Sequence, residues 1–231
     1  MQLDSVQIGA ADLQSAVAEY ETLLGVAATR CADGRVRFQL RTGAVELEVA
    51  EPGVRSIQFV LEPGSTPPAG ESFGGLAVRF VGAVTSPAPS PAEAAAAIVS
   101  AIDHVVVHTM QPERALALWR DRLGLRLALD REFPDRGLRL LFFRSNHMTL
   151  EYACMLNAAG SAAEDRFYGV SYRVRDIQSC RERLLAASID VSPVRTGMKP
   201  GTHVVTVRSG TAGVPTLLIE DPSRAEPSLA V

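Results

Sequence analysis

Two stretches of the sequence share one plan and decide the fold: residues 3–25, LDSVQIGAADLQSAVAEYETLLG, and residues 102–125, IDHVVVHTMQPERALALWRDRLGL. Each begins with a short apolar strand and continues as a helix whose apolar residues recur every three or four positions. Asp12 is suited to cap the first helix, Pro112 to begin the second, and a glycine ends each of them. A third copy of the plan begins at Phe167. This repetition predicts a protein built from similar modules.

After each helix the apolar residues alternate with polar ones, a pattern that indicates β-strands. Thr42 and Gly43 suit a two-residue hairpin turn, which would place Arg37 opposite Glu48. Residues 54–84 contain two further apolar strands joined by a segment rich in proline, glycine and serine. We therefore predict a βαβββ plan for each module and a degenerate second module that lacks its helix.

Four modules in 231 residues fit two domains, because a compact domain usually has ~100–150 residues. The predicted fold class is α+β, with two curved mixed or antiparallel sheets and with helices on the convex face of each sheet. The predicted divisions are an N-terminal domain at residues 1–84, a linker rich in proline, alanine and serine at 85–100, a C-terminal domain at 101–222 and a tail at 223–231.

The composition excludes several classes of function. Twenty-three basic and 26 acidic side chains give a formal net charge of -3, without a basic cluster of the kind that binds nucleic acid. No apolar run approaches the ~18 residues needed to span a bilayer, and residues 1–14 do not resemble a signal peptide. We therefore predict a cytoplasmic protein that has neither nucleic acid nor a membrane as a partner. Exposed sheet edges are consistent with a homodimer.

Two side chains in the second half of the chain form a candidate site. His104 lies in the strand IDHVVVH, and Glu151 lies in MTLEYA, the last strand of the same module. A turn at residues 145–146 would place Glu151 opposite Leu140. An ionised carboxylate among apolar neighbours requires a cation, a metal or hydrogen-bond donors. The pair is therefore either a hydrogen-bonded couple or half of a site for Zn, Ni, Mn or Fe.

The hairpin at residues 138–154 is apolar on both of its faces. This is expected when a helix covers one face and a ligand pocket lies under the other. We expect Leu140, Phe142 and Thr149 to bind the substrate in this pocket. Glu151 is the candidate catalytic residue.

The two stretches quoted first resemble the opening of a module of the vicinal oxygen chelate superfamily, which includes glyoxalases, bleomycin-resistance proteins and extradiol dioxygenases. Residues 138–153, LRLLFFRSNHMTLEYA, are similar to the hairpin of such a module, and residues 168–191 are similar to the start of another. The resemblance spans almost the whole chain. It implies four modules in two domains and a small molecule as the ligand or substrate.

For metal-dependent members, the resemblance implies one ligand from the first strand of each module and another, usually Glu, from the last strand. Two paired modules then surround one ion that keeps an open position. By position, the third module offers His104 and Glu151 as metal ligands. Its partner, the fourth module, offers Gly169 and Leu217, neither of which binds a metal through its side chain.

The first module offers one further candidate ligand. Ser5 stands where the family often has His or Gln, and Glu48, or else Glu46, occupies the position in the last strand. Glu48 could join His104 only if the first and third modules faced each other, within the chain or across a dimer.

Three functions remain open. The first is an enzyme in which one divalent ion on His104 and Glu151 acts as a Lewis acid in a lyase, isomerase or dioxygenase reaction. The second is a metal-free protein that binds a small molecule and sequesters it, in the manner of bleomycin-resistance proteins, which Gly169 and Leu217 favour. The third is a dimerisation scaffold.

Overall fold

The structure is a computed structural model that describes residues 1–68, 73–82, 98–145, 148–158 and 163–224. It has the predicted α+β fold, with two mixed sheets, one of six strands and one of eight.

The strands of the six-stranded sheet are β1 (Gln2–Ala10), β2 (Thr29–Arg30), β3 (Val36–Gln39), β4 (Ala44–Val49), β5 (Gly53–Val60) and β6 (Val78–Val81). Those of the eight-stranded sheet are β7 (Val99–Thr109), β8 (Arg126–Phe133), β9 (Leu138–Ser145), β10 (Met148–Met155), β11 (Arg166–Val174), β12 (Arg195–Thr196), β13 (His203–Val207) and β14 (Thr216–Glu220). The helices are α1 (Leu13–Leu24), α2 (Pro112–Ala115, which continues as a π-helix over Leu116–Arg122) and α3 (Ile177–Ala186).

β7 and β11 lie side by side at the centre of the eight-stranded sheet and run antiparallel. β10 pairs in parallel with β7, and β14 pairs in parallel with β11, so each central strand is flanked by the last strand of its own module. The six-stranded sheet repeats this arrangement, with β1 and β5 at its centre and with β4 and β6 beside them. Within the described residues, the second module therefore contributes a first and a last strand.

The helices start where the sequence predicts. Asp12 accepts a hydrogen bond from the backbone amide of Ser15 at the start of α1, and Gly25 ends that helix with a φ of 68°. Glycine suits this left-handed conformation because it has no Cβ atom. Asp176 caps α3, since its carboxylate accepts a hydrogen bond from the Ser179 amide at 3.0 Å.

The predicted register of the first hairpin is wrong by two residues. Arg37 pairs with Glu46 rather than with Glu48, and the loop between β3 and β4 has four residues rather than two. Backbone groups of this loop also pair with β7, because the Arg41 amide donates a hydrogen bond to the Ser100 carbonyl at 3.1 Å. This contact with the second sheet supports the longer loop. No local sequence pattern indicates the contact in advance.

The predicted register of the second hairpin is also wrong by two residues. Glu151 pairs with Phe142 rather than with Leu140. β9 extends through Ser145 and β10 begins at Met148, and the two residues between them lie outside the described part of the chain. A shift of two residues keeps every side chain on its predicted face, because side chains alternate with a period of two.

One hydrophobic core joins the two sheets. Trp119 of α2 packs against Phe59 of β5 and Tyr152 of β10, with ring centroids 5.9 and 6.5 Å away. The Trp119 indole also donates a hydrogen bond to the Tyr152 hydroxyl at 2.6 Å. Tyr20 of α1 donates a hydrogen bond to the Thr211 carbonyl, in the segment before β14, at 3.2 Å. Helices α1 and α2 therefore connect the two halves of the chain.

The ends of the predicted domains differ slightly from the observed elements. β7 begins at Val99, inside the predicted linker, and residues 85–97 lie outside the described part of the chain. The start of the predicted tail belongs to a short 3₁₀ turn, Pro222–Arg224, and residues 225–231 are not among those described. None of the described helices is long and apolar enough to cross a membrane.

Candidate functional site

The candidate site lies on the face of the eight-stranded sheet opposite the one that packs into the hydrophobic core, and we call it the open face. Val105 and Val107 of β7 belong to the core on the helix-covered side. Because side chains alternate along a strand, His104 and Val106 project from the open face. The central residues of the open face are His104, Val106 and His108 on β7, Leu140, Phe142 and Arg144 on β9, Thr149, Glu151 and Ala153 on β10, and Gly169, Ser171 and Arg173 on β11.

His104 and Glu151 come together at the middle of the open face. The Nε2 atom of His104 lies 3.5 Å from Oε2 of Glu151, and the two side chains are 15% and 17% exposed. Thr149 is the direct neighbour of His104 on β10, and Phe142 is the direct neighbour of Glu151 on β9. Leu140 lies two residues before Phe142 on the same strand, β9, and is buried. The residues expected in the C-terminal site therefore share one face.

The buried carboxylate of Asp103, which the sequence patterns did not predict as part of the site, contacts the ring of His104. Oδ2 of Asp103 lies 3.0 Å from Nδ1 of His104. The other oxygen, Oδ1, accepts hydrogen bonds from Arg173 at 2.8 Å and from Arg224 at 2.6 Å. Strict alternation would turn Asp103 toward the helices, but the register of β7 against β11 shifts at this point. The adjacency of Asp103 and His104 in the sequence is the signal that could have found this contact.

The charges around His104 favour its protonated form. Burial alone would lower the pKa of the imidazole, but the carboxylates of Glu151 and Asp103 outweigh it and raise the pKa above its usual value. Burial also opposes ionisation of Asp103, yet the hydrogen bond from His104 and the charges of the two arginines hold the pKa of Asp103 well below its usual range. The ring of His104 thus lies between two acidic side chains.

The pair fits part of a divalent-metal site. Two ligands of one tetrahedral zinc ion are roughly 3.4 Å apart, given bonds of about 2.0–2.2 Å, and His104 and Glu151 are 3.5 Å apart. A histidine that binds a metal usually donates its other ring N–H to a carboxylate. Asp103 is placed to accept such a hydrogen bond. These two residues would therefore hold an ion from one side.

The paired module supplies no ligand for the other side. Leu217 occupies the position on β14 that Glu151 occupies on β10. Gly169 is the counterpart of His104, and a Cβ atom there would lie 2.3 Å from the carbonyl oxygen of Pro215. Close packing therefore excludes a ligating side chain at residue 169. Among the residues that the structure describes, no group of three His, Cys, Asp or Glu side chains is arranged to hold a metal ion.

Of the two predicted alternatives, Glu48 and Glu46, it is Glu46 that has the position in the six-stranded sheet that Glu151 has in the eight-stranded sheet. Glu46 is buried and forms ion pairs with Arg35 and with Arg37, whose Nη1 lies 2.5 Å from Oε1 of Glu46. This acid is therefore neutralised by its own sheet. Glu48 lies on a different sheet from the candidate site.

Several solved structures match part of the chain at low sequence identity. Methylmalonyl-CoA epimerase from Mycobacterium tuberculosis is 19% identical, with a TM-score of 0.46, over 55% of this chain and 93% of that chain. A variant of Streptomyces coelicolor methylmalonyl-CoA epimerase in complex with 2-nitronate-propionyl-CoA is 14% identical, with a TM-score of 0.47, over 56% of this chain and 99% of that chain. A hypothetical protein from Bacillus halodurans is 18% identical, with a TM-score of 0.45, over 54% of this chain and 96% of that chain. The comparison with curated proteins gave no match.

A protein-family comparison matches one segment of the chain to a superfamily. Residues 103–206 match the Glyoxalase/Bleomycin resistance protein/Dioxygenase superfamily. The matched segment covers most of the third and fourth modules and includes both His104 and Glu151. The repeated order of strands and helices agrees with the resemblance seen in the sequence. Within residues 103–206, the chain is therefore similar to the Glyoxalase/Bleomycin resistance protein/Dioxygenase superfamily.

Proposed function

We propose that the protein binds a small organic molecule on the open face of the eight-stranded sheet, with His104 and Glu151 as the polar anchor. The observation that carries the proposal is the position of this pair, which is partly exposed and lies beside the apolar side chains of Val106 and Phe142. A few convergent polar groups on an apolar surface are typical of small-molecule sites.

His104 and Glu151 would act on the bound molecule, and Asp103 would orient His104. Asp103 orients the imidazole of His104, so that Nε2 is directed toward Glu151. A protonated His104 would donate a hydrogen bond to a carbonyl or acidic oxygen of the molecule. Glu151 would accept a proton from the bound molecule. A pair made of one proton donor, His104, and one proton acceptor, Glu151, supports proton transfer of the lyase or isomerase type.

A divalent metal on His104 and Glu151 is the second candidate, which the 3.5 Å separation and the carboxylate behind His104 favour. When bound, such an ion would act as a Lewis acid on an oxygen of the molecule. Gly169 and Leu217 provide no further ligands, and this favours a metal-free site. We therefore place metal-free binding first.

Elemental analysis of protein purified without chelators, before and after incubation with Zn, Ni, Mn or Fe, separates the two candidates. Metal-free binding predicts substoichiometric metal in the wild type and in a His104→Ala/Glu151→Ala double variant alike. Stoichiometric metal that is present in the wild type and absent from the double variant would establish the metal site instead.

Ligand screening tests the anchor itself. A small molecule that binds the wild type should bind the double variant at least about tenfold more weakly, because charge-assisted hydrogen bonds are lost. His203→Ala is the matched control, since His203 is half exposed and pairs with Glu220 at 3.9 Å outside the open face. Equal affinity for the wild type and the double variant would contradict the role of the pair.

A further inference from the structure

A row of hydrogen-bond donors crosses the open face beside Glu151. Thr149 of β10 pairs with His104 of β7 on one side and with Arg144 of β9 on the other. Arg144 pairs in turn with Arg126 of the edge strand β8. These four residues therefore lie side by side, with about 4.8 Å between neighbouring strands.

The two arginines form an unfavourable pair in the protein alone. Like charges directly opposite each other on neighbouring strands destabilise a sheet. The six-stranded sheet avoids this arrangement, because its Arg37 lies opposite the acid Glu46. In the eight-stranded sheet the corresponding acid, Glu151, lies opposite a phenylalanine, and Arg144 faces Arg126. An anion bound between the two guanidinium groups would relieve their repulsion.

Apolar side chains continue from the arginine pair along the same face. Phe142 is half-buried and pairs with Leu129 of β8. Leu140 follows on β9, beside Ala153 of β10. On β8, Arg131 pairs with Leu140, which is buried. The open face therefore has the Arg144 and Arg126 pair at one end, with the partly exposed ring of Phe142 beside it.

We propose that the molecule bound on the open face is a small organic anion, whose acidic group lies between Arg144 and Arg126 and whose flat apolar body lies over Phe142. This inference rests on the proposed small-molecule site and adds the chemical class of its ligand. Carboxylates, sulfonates and phosphates share this recognition, because a guanidinium binds any of them through charge-assisted hydrogen bonds. Thr149 pairs with Arg144 on the side away from Arg126, so its hydroxyl is a further donor on this face.

Two fluorescent probes with the same ring system test the requirement for charge. The probe 8-anilinonaphthalene-1-sulfonate carries a sulfonate, whereas N-phenyl-1-naphthylamine has the same rings without it. Fluorescence titrations of the full chain compare the wild type with Arg144→Gln and Arg126→Gln. Arg208→Gln is the matched control, because Arg208 is exposed in the segment after β13 and pairs with Asp190 at 3.4 Å.

We expect both open-face variants to weaken binding of the sulfonate at least about tenfold, since each removes a charge-assisted contact. The neutral probe should bind all four proteins with the same affinity. Arg144→Lys should restore most of the sulfonate binding, because it keeps the charge. Added salt should weaken sulfonate binding to the wild type more than to the variants.

Equal sulfonate affinity in the wild type and both glutamine variants would overturn the assignment of an anion, as would a wild type that binds neither probe. The Phe142→Ala variant distinguishes a failure of the anion assignment from a failure of the proposed small-molecule site. If it weakens binding of both probes, the small-molecule site stands without the anion; if it changes neither, the proposed site fails as well. Near-UV circular dichroism of each variant must match the wild type, because partly unfolded protein also binds the sulfonate dye.

Discussion

Asp103 is the residue on which the geometry of the candidate site depends. One of its oxygens contacts His104, and the other accepts hydrogen bonds from Arg173 and Arg224. The Asp103 side chain is 11% exposed, and removing one partner from such a buried cluster leaves uncompensated charge. Asp103 therefore orients the imidazole and forms ion pairs with two arginines at the same time.

We expect Asp103→Asn to lower the free energy of unfolding by about 3–5 kcal/mol, the usual cost of breaking a buried ion pair. Urea denaturation followed by circular dichroism measures this change. Asp190→Asn is the control, because exposed pairs such as that of Asp190 with Arg208 contribute roughly 0–1 kcal/mol. A loss below about 1 kcal/mol for Asp103→Asn would show that the buried cluster does not stabilise the fold as described.

His104 should titrate above the usual histidine value of about 6.5. NMR titration of the imidazole measures its pKa, which should fall in Glu151→Gln because one of the two nearby carboxylates is lost. A wild-type pKa at or below the usual value would contradict this account of the site.

The same shift makes stability depend on pH. A histidine whose pKa is raised on folding stabilises the fold at pH values below its unfolded pKa, and this stabilisation is lost as the pH rises through the folded-state pKa. The stability advantage of the wild type over His104→Gln should therefore decrease as the pH is raised from about 6 to about 9. Urea denaturation at each pH checks this trend, and a constant or growing advantage would oppose it.

Sequence patterns could identify His104 and Glu151, because alternation along two strands of one module places them on the same face. Patterns could not identify the cluster around Asp103. Its orientation depends on an irregular register between β7 and β11, and Arg224 lies 121 residues further along the chain.

At the scale of elements, the packing of β14 against β11 decides what β11 can carry. The Pro215 carbonyl accepts a hydrogen bond from the Val170 amide at 3.0 Å, and this contact occupies the space where residue 169 would have a Cβ atom. We expect Gly169→Ala to destabilise the protein by about 2–3 kcal/mol, because backbone atoms must move. Thermal and urea denaturation measure the loss.

Gly82→Ala is the control for this substitution, because a Cβ atom at residue 82 meets no atom within 4 Å. It should change stability by less than about 0.5 kcal/mol. If Gly169→Ala were equally neutral, residue 169 could accept larger side chains, and the packing argument against a ligand at this position would be wrong.

The hairpins show the limit of sequence reasoning about elements. Both were predicted with the correct strands and faces, but each register was wrong by two residues. Turn residues such as Thr42 and Gly43 indicate where a chain can reverse, whereas the observed loop length also depends on contacts of that loop with β7. The first helix cap, by contrast, depends only on neighbouring residues and was predicted correctly.

At the scale of the whole molecule, the two sheets share one core and should unfold together. Trp119, the one tryptophan of the chain, is fully buried between residues of both sheets. We expect a single urea transition whose midpoint is the same by tryptophan fluorescence and by far-ultraviolet circular dichroism. Two separate transitions would mean that the halves form independent folding units.

We propose that the open face of the eight-stranded sheet binds a small molecule at His104 and Glu151. Chemical-shift mapping by NMR, with the members of a small-molecule fragment library added one at a time, tests this proposal. We expect binding fragments to shift the backbone amides of Thr149, Glu151 and neighbouring residues of β7 and β9. Shifts confined to the six-stranded sheet, or the absence of any binding fragment, would contradict it.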